Sequence, residues 1–303
     1  MTGTEIITFL SSNFPTQAIS PIVGSIFTAI FLRHNTEAKE FEKIKAGQFK
    51  EVADSLLRSG KMTYTEYYKA NNFLKVAKKA DEFYSEMHRS ENTPPATYDF
   101  DWFIRFYEAV GNISDEAMQD LWAKILAGEI SRPSSYSLKT IDVLKNMSKK
   151  DAELFVRICS HSFTSGEKKI FLPNNNDYLE KCGIEYSDIM KMNEQDLIFS
   201  DSVITLSLNI SKNESHLFTN RELVMTISSA NGSEVEAAIE QYPFTEVGVE
   251  VASLFADSAS DEDFIEYGRC LARKHKNYVI AIYKVHSWEE DGTIKCERRN
   301  ILE

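Results

Sequence analysis

The sequence predicts an α+β protein with a helical N-terminal half and an α+β C-terminal half. Up to Ser160, apolar residues recur at intervals of three and four between helix start and stop signals, which indicates helices. After Ser160, alternating apolar residues and Asn-Gly or Asp-Gly pairs indicate strands joined by hairpins. We therefore divide the chain into residues 1–90, an amphipathic helix and a long helical hairpin, residues 98–160, a Trp-rich helical domain, and residues 161–303, an acidic α+β domain.

The first predicted helix spans Ile19–Leu32, and Pro21 is tolerated in its first turn. Its apolar residues follow the i, i+3, i+4, i+7 spacing of a single stripe. The uncharged run 17–32 is shorter than the roughly 20 residues that span a bilayer. We interpret the stripe as a core or self-association surface, and contact with a membrane is the alternative. The candidate residues are Ile19, Ile22, Ile26, Phe27, Ile30 and Phe31.

Two further helices are predicted to form an antiparallel hairpin. The first covers residues 36–59, and Gly60 supplies its C-terminal stop. The second covers residues 63–88 and begins with a capping box made by Thr63 and Glu66. The short connection between them favours an antiparallel arrangement.

Four helices are predicted after the linker marked by Pro94-Pro95. We expect Ser114 to cap the second of them and Ser148 to form a capping box with Asp151 at the last. The helices cover residues 101–110, 114–128, 137–146 and 148–159. The apolar residues that we expect in their shared core are Trp102, Phe106, Leu121, Trp122, Ile125 and Leu126.

The C-terminal half is predicted to contain two hairpins and two helices. Asn231-Gly232 lies between the strand-like runs 222–228 and 235–242, and this pair is a strong hairpin signal. The other predicted elements are a strand at 203–210, helices at 245–255 and 260–274, and a hairpin of strands 278–285 and 293–299. The order of elements over residues 148–242 is that of a winged-helix module.

The negative charge of the chain is concentrated in its last half. The whole chain carries −12, and residues 161–303 contain 14 Lys and Arg against 25 Asp and Glu, a net charge of −11. A surface that tracks phosphates normally needs a basic face, so nucleic-acid binding is not expected. The apolar share of 43% is ample for a buried core, which argues against general disorder.

Cysteine usage and the N-terminus favour a cytoplasmic location. The four cysteines, Cys159, Cys182, Cys270 and Cys296, are spread widely, which suits a reducing compartment better than a disulfide framework. No basic region precedes the first apolar residues, so a secretory signal is not expected. Peripheral association with a membrane through the N-terminal helix is the alternative.

Several patterns resemble chemical sites without meeting their requirements. The segment Gly166–Lys169 lacks the first glycine and the final Ser or Thr of a phosphate-binding loop. Cys159 and His161 stand only two residues apart at a helix end, too little for a nucleophile and its base. The acidic run Asp261–Asp263 is typical of a helix N-terminus.

A zinc site was also weighed and not favoured. Cys270 and His275 lie five residues apart on one predicted helix and do not face a common point, and neither His286 nor Cys296 forms a close-spaced ligand pair with them. The sequence therefore predicts no catalytic, cofactor-binding or metal-binding residues and no cofactor, and we expect a protein that is not an enzyme.

The segment Leu121–Glu129 reads LWAKILAGE and resembles a bacterial family catalogued as domain of unknown function 2806. The Trp- and Phe-containing helix at 101–107, the turn Pro133–Ser137 and the segment 144–152 extend this resemblance. The chain has Pro133-Ser134-Ser135 where the family usually has Pro-Gly-Ser. The resemblance supplies no catalytic residue, and it implies an association with antiphage and abortive-infection genes.

These observations favour a non-enzymatic bacterial protein that acts through self-association and protein–protein binding in antiphage defence. Its expected partners are other copies of itself and a phage or host protein. One alternative is a winged-helix regulator that binds DNA, for which Lys168, Lys169, Lys181 and Lys191 are the available bases. The other is a membrane-acting effector that uses residues 17–32.

Overall fold

The α+β class is confirmed by a computed structural model, which has helices in its N-terminal half and an antiparallel sheet in its C-terminal half. The chain divides into two compact units, Met1–Lys145 and Asn146–Glu303. The structure describes residues 54, 57–60, 62–87, 99–165, 169–200, 204–210, 214–220, 222–231, 234–255, 260–275, 277–289, 293–297 and 300–302.

The first described helix begins where the sequence places a capping box. The capping box at 63–66 is confirmed, because the Thr63 N–H donates to Glu66 Oε2 at 2.8 Å and the Glu66 N–H donates to Thr63 Oγ1 at 3.2 Å. The Gly60 N–H donates to the Leu57 carbonyl at 3.1 Å, which confirms Gly60 as a helix stop. The predicted helix over 36–59 otherwise lies almost wholly outside the described residues. The helices are α1 (Tyr64–Met87), α2 (Phe100–Val110), α3 (Glu116–Ser131) and α4 (Leu138–Asn146).

The cap of α3 differs from the prediction by one residue. Asp115, and not Ser114, occupies the cap position, and its carboxylate accepts the Met118 N–H at 3.1 Å. A carboxylate at a helix N-terminus gains a favourable interaction with the helix dipole that a hydroxyl lacks, which favours Asp115 over its neighbour.

Aromatic rings fill the core of the first unit, as the sequence predicts. Trp122 is fully buried, and its ring lies 5.4 Å from that of Phe106 in an edge-to-face arrangement. Phe106 also stacks on Trp102, whose indole N–H donates to the Tyr136 carbonyl at 2.8 Å. Phe73 brings α1 against the same group, with its ring 6.3 Å from Phe106. Such pairs add to the stability that burial of their apolar area provides.

The second unit contains five α-helices and eight strands among its described residues. The capping box at its first helix is confirmed, because the Ser148 hydroxyl accepts the Asp151 N–H and the Asp151 carboxylate accepts the Ser148 N–H. The helices are α5 (Lys149–Ser160), α6 (Asn176–Lys181), α7 (Tyr186–Glu194), α8 (Glu246–Ala252), continued by a short 3-10 turn at Ser253–Phe255, and α9 (Asp261–Lys274). The strands are β1 (Phe163–Ser165), β2 (Lys169–Pro173), β3 (Ile204–Ile210), β4 (Ser215–Thr219), β5 (Leu223–Ser229), β6 (Val235–Pro243), β7 (Tyr278–Trp288) and β8 (Ile294–Cys296).

The strands form one antiparallel sheet in the order β3-β6-β2-β1-β4-β5-β7-β8. Helix α9 packs on one face of this sheet, where it contributes Phe264 and Tyr267 to the core. Phe163 lies between these two side chains, with its ring 4.8 Å from Phe264 and 5.5 Å from Tyr267. This packing fixes the start of α9 beside the strands and helices that precede it.

The hairpin predicted at Asn231-Gly232 is wrong, although both of its strands exist. Strand β5 pairs with β4 and β7, and β6 pairs with β3 and β2. The Ala230 N–H donates to the Asn277 carbonyl at 3.2 Å, which continues the pairing with β7 up to the turn. Both edges of β5 are therefore occupied, and the packing of its apolar residues overrides a local turn signal. The second predicted hairpin is confirmed as β7 and β8.

Candidate functional site

The residues predicted for self-association or membrane contact lie outside the described residues. They are Ile19, Ile22, Ile26, Phe27, Ile30 and Phe31, and the uncharged run 17–32 lies there with them. Within the part of the chain that the structure describes, no helix has both the length and the apolar character needed to cross a membrane.

The LWAKILAGE segment lies in α3, where its apolar residues pack in the core. Trp122, Ile125 and Leu126 are fully buried. Gly128 lies against the Tyr136 ring, and a Cβ at this position would stand 2.8 Å from the Tyr136 hydroxyl oxygen. A side chain here would push the ring away, so the segment requires glycine for close packing.

Glu129 ends the segment by binding the turn that follows α3. Its buried carboxylate accepts the N–H groups of Ser134 at 2.7 Å, Ser135 at 3.0 Å and Tyr136 at 3.2 Å. Burial raises the pKa of Glu129, while the three N–H donors act in the opposite direction. The carboxylate therefore supplies hydrogen-bond acceptors for the three backbone N–H groups of this turn. Glu129 thus has a structural role in the family segment.

A cluster of three chemically competent side chains lies in the second unit. One ligand atom each from His161, Cys182 and Asp263 lies within 4.8 Å of the other two. All three side chains are half-buried. Spacing in the sequence does not predict this group, because its members are far apart in the chain.

His161 is the residue that ends α5. Its carbonyl accepts the Tyr178 hydroxyl at 3.0 Å, which ties this helix end to α6. The neighbouring Ser160 carbonyl accepts the Ser260 N–H at 3.3 Å, which ties it to the start of α9. These two hydrogen bonds hold the imidazole at the point where three helix ends meet.

Cys182 is the residue that ends α6, and its position is set by a Schellman motif. The Ile184 N–H donates to the Leu179 carbonyl at 3.0 Å, and the Gly183 N–H donates to the Glu180 carbonyl at 3.1 Å. Gly183 has a φ of 64°, which glycine adopts without strain. The thiol is thereby held on a defined helix end.

Asp263 lies in the first turn of α9, whose N-cap is Ser260. The Ser260 hydroxyl accepts the Asp263 N–H at 3.3 Å. Asp263 Oδ2 lies 2.9 Å from His161 Nδ1, but the ring N–H does not point along this line, so the two atoms are in contact without an aligned hydrogen bond. The carboxylate therefore has capacity for a further partner.

The cluster lacks an activated nucleophile. Burial raises the pKa of the Cys182 thiol to about 11, although a hydrogen bond with Tyr178 acts in the opposite direction. A thiol with this pKa is protonated at neutral pH, and thiolate chemistry needs a lowered pKa. Burial also raises the pKa of Cys159, the cysteine nearest to His161 in the sequence. The group resembles a set of ligands more than a catalytic triad.

Three basic side chains, one of them next to Cys182 in the chain, form ion pairs with a single carboxylate of α9. Lys181, Arg269 and Arg273 all form ion pairs with Glu266 on α9. The hydrogen bond from Lys181 is the largest of the effects that lower the pKa of Glu266 to about 2. Glu266 is thus the shared ion-pair partner of all three cations.

The residues considered for zinc from the sequence occupy different places. Cys270 is buried within α9, His275 caps the end of that helix, and His286 is exposed on β7. Cys296 lies in β8. Among the described residues, the group with ligand atoms close enough to share an ion is His161, Cys182 and Asp263.

Comparison with known proteins identifies the family of the chain. The sequence profile described as "Protein of unknown function (DUF2806)" matches residues 59–268, which include α1, the LWAKILAGE segment and the sheet up to α9. Searches of curated proteins and of solved structures each gave no match. The match covers more than half of the chain, so the chain belongs to the DUF2806 family of proteins of unknown function.

Proposed function

We propose that the chain is a non-enzymatic bacterial protein that acts in the cytoplasm through self-association and binding of a phage or host protein, in antiphage defence. The defence role rests on the family resemblance alone. The proposal of self-association rests on one structural observation, the outer edge of strand β3.

Strand β3 ends the sheet and has few of the features that protect edge strands. Among the described residues it pairs with β6 on one side, and no strand pairs with its other side. Its seven residues, ITLSLNI, include no charged residue and no proline. Natural edge strands usually carry lysine, proline or a bulge, because an open edge presents unpaired N–H and C=O groups.

The occupant that best fits this edge is a second copy of β3. Two copies of an uncharged strand can pair antiparallel about a two-fold axis, which is the commonest symmetry of homo-oligomers. Ser207 is the central residue of Ile204–Ile210, so the axis would pass near it. The remainder of this half of the chain is strongly acidic. Because β3 carries no charge, two copies can meet there without repulsion between acidic side chains.

A lysine substitution at the centre of β3 tests the proposal. Light scattering of the full chain should give a dimer or a larger oligomer, and Ser207→Lys should weaken it. Ser215→Lys is the matched control, because Ser215 is an exposed serine at the start of β4, away from the edge. A wild-type monomer at high concentration would contradict self-association, and an oligomer that resists Ser207→Lys would exclude the β3 edge.

The stripe Ile19–Phe31 is a second proposed surface. A stripe this apolar needs a cover from another subunit, the core or lipid. Deleting residues 1–33 should weaken the oligomer. A monomer both before and after the deletion would contradict self-association through the stripe. Affinity capture from phage-infected cells, followed by mass spectrometry, tests for a phage or host partner.

A winged-helix regulator remains the second candidate, supported by the strand order. Elements α5, β2, α6, α7, β3 and β6 occur in this order in the chain, with β1 before β2 and with β4 and β5 between β3 and β6. In the sheet, β3, β6 and β2 are neighbours. Two charged residues of α7 are engaged, Asp188 with Arg157 and Lys191 with Asp151. A gel-shift titration with random duplex should give no retardation at physiological salt. Salt-sensitive binding would favour this candidate, and Lys168 and Lys169 would then be the first residues to mutate.

The third candidate is a membrane-acting effector that uses residues 17–32. If the stripe contacts protein and not lipid, the full chain and a variant that lacks residues 1–33 should bind anionic vesicles equally weakly. Loss of vesicle binding on deletion would favour the membrane candidate.

A further inference from the structure

We propose that His161, Cys182 and Asp263 form a binding site for a divalent metal ion of the zinc class. The three residues supply an imidazole nitrogen, a thiol sulfur and a carboxylate oxygen, which are the donors that proteins use for zinc. They come from three different elements, the ends of α5 and α6 and the start of α9. The site goes beyond the proposed function, which does not depend on it.

The separations within the cluster suit a single ion. Zinc lies about 2.0–2.3 Å from its nitrogen, oxygen and sulfur ligands, so ligand atoms of a tetrahedral site stand roughly 3.3–3.7 Å apart. The three candidate atoms all lie within 4.8 Å of one another. His161 Nδ1 and Asp263 Oδ2 are 2.9 Å apart and would separate slightly around an ion.

The hydrogen bonds around the cluster also favour a bound ion. His161 Nδ1 is buried without an aligned hydrogen-bond partner, and an ion would satisfy it. The Tyr178 hydroxyl donates to the backbone carbonyl of His161 and also hydrogen-bonds the Cys182 thiol, which links the backbone of one ligand residue to the thiol of another. Such outer contacts orient metal ligands and raise the affinity of a site.

Charge also favours a divalent cation at this point. A thiolate and a carboxylate neutralise the two charges of the ion, and the imidazole binds as a neutral ligand. Lys181, the residue before Cys182, forms its ion pair with Glu266, as do Arg269 and Arg273.

The donor set selects the class of ion. Thiolate and imidazole favour zinc and its close analogues, whereas magnesium and calcium require sets of oxygen ligands. Three protein ligands leave one tetrahedral position for water. Because the ligands join three helix ends, binding should stabilise the second unit.

Cobalt is the most informative probe, because a cobalt–thiolate bond has a charge-transfer absorption band and tetrahedral cobalt has intense visible bands. Reduced full-length protein, freed of metals with a chelator, is titrated with Co²⁺. We expect saturation at one equivalent, with both sets of bands, and displacement by Zn²⁺. Cys182→Ser should remove the charge-transfer band, and His161→Gln and Asp263→Asn should each weaken binding at least about tenfold.

Two serine variants serve as controls for the thiol. Cys270→Ser changes a buried cysteine of α9, and Cys296→Ser changes a half-buried cysteine of β8. Both should retain the bands of the wild type. The absence of a charge-transfer band from the folded wild type, or its persistence in Cys182→Ser, would overturn the proposal.

Thermal unfolding gives a second readout that does not depend on colour. Zn²⁺ should raise the midpoint temperature of unfolding of the wild type and leave that of Cys182→Ser unchanged. Mg²⁺ should change the midpoint temperature of neither protein. Circular dichroism without metal verifies that each variant is folded. An equal zinc effect on the wild type and on Cys182→Ser would assign binding to another place on the chain.

Discussion

Glu129 Oε1 accepts the N–H of Ser134 at 2.7 Å, and Ser134 is one of two non-glycine residues with a positive φ in the described structure. The contact joins the end of the family segment to the turn that follows it. Ser134 holds a φ of 65°, a backbone conformation that L-residues disfavour by roughly 1–2 kcal/mol. The Glu129 carboxylate, with its three N–H donors, offsets this cost.

Replacing Glu129 with glutamine should destabilise the first unit by about 1–3 kcal/mol, because an amide NH₂ then faces buried N–H donors. Urea unfolding followed by tryptophan fluorescence gives the difference. Glu108→Gln is the control, since Glu108 is an exposed glutamate on α2, and its free energy of unfolding should match the wild type. Equal stability of Glu129→Gln and Glu108→Gln would refute the role of the carboxylate.

Replacing Ser134 with glycine should stabilise the protein by about 1 kcal/mol. Glycine relieves the strain at positive φ, and the greater freedom that it gives the unfolded chain offsets part of the gain. The usual Pro-Gly-Ser turn of the family thus has a physical reason at this position. Ser135→Gly is the opposite case, because the Ser135 hydroxyl donates to the Arg132 carbonyl at 2.5 Å and that bond would be lost. We expect a higher unfolding midpoint for Ser134→Gly and a lower one for Ser135→Gly.

Helix ends could be predicted from short sequence patterns, whereas contacts between residues far apart in the chain could not. The capping boxes at Thr63 and Ser148 were predictable, because each depends on residues only three apart. The pairing of β5 with β7 was not, because the two strands are far apart in the chain and packing decides the pairing.

The candidate site escaped sequence reasoning for the same reason. His161, Cys182 and Asp263 meet only because α5, α6 and α9 converge, and no spacing between them encodes that meeting. Asp263 was interpreted as a helix-start residue, which it is, and the same position also brings its carboxylate to the cluster. A residue with a local structural reason can therefore still belong to a site.

Trp122→Ala should destabilise the first unit by about 3–5 kcal/mol, because it removes a fully buried ring and leaves a cavity beside Phe106. Trp288→Ala is the matched control, since that indole is 50% exposed on β7, and its cost should be about 1 kcal/mol or less. The free energies of unfolding in urea should differ in this order. Similar losses for the two variants would contradict the central place of Trp122 in the core.

The ion pairs of Glu266 should make the second unit sensitive to acid. The folded-state pKa of Glu266 is lowered from 4.5 to about 2, chiefly by the hydrogen bond from Lys181 and also by Arg273. A lowered pKa in the folded state means that the stabilisation is fully present above pH 4.5 and is lost as the pH falls towards 2. Because these ion pairs are partly exposed, we expect a contribution on the order of 1 kcal/mol, reduced by salt. Glu266→Gln should be less stable than the wild type at pH 7, and the difference should shrink steadily below pH 4.5. A difference that stays constant from pH 7 to pH 3 would indicate that the loss in the variant comes from packing and not from the charge of Glu266.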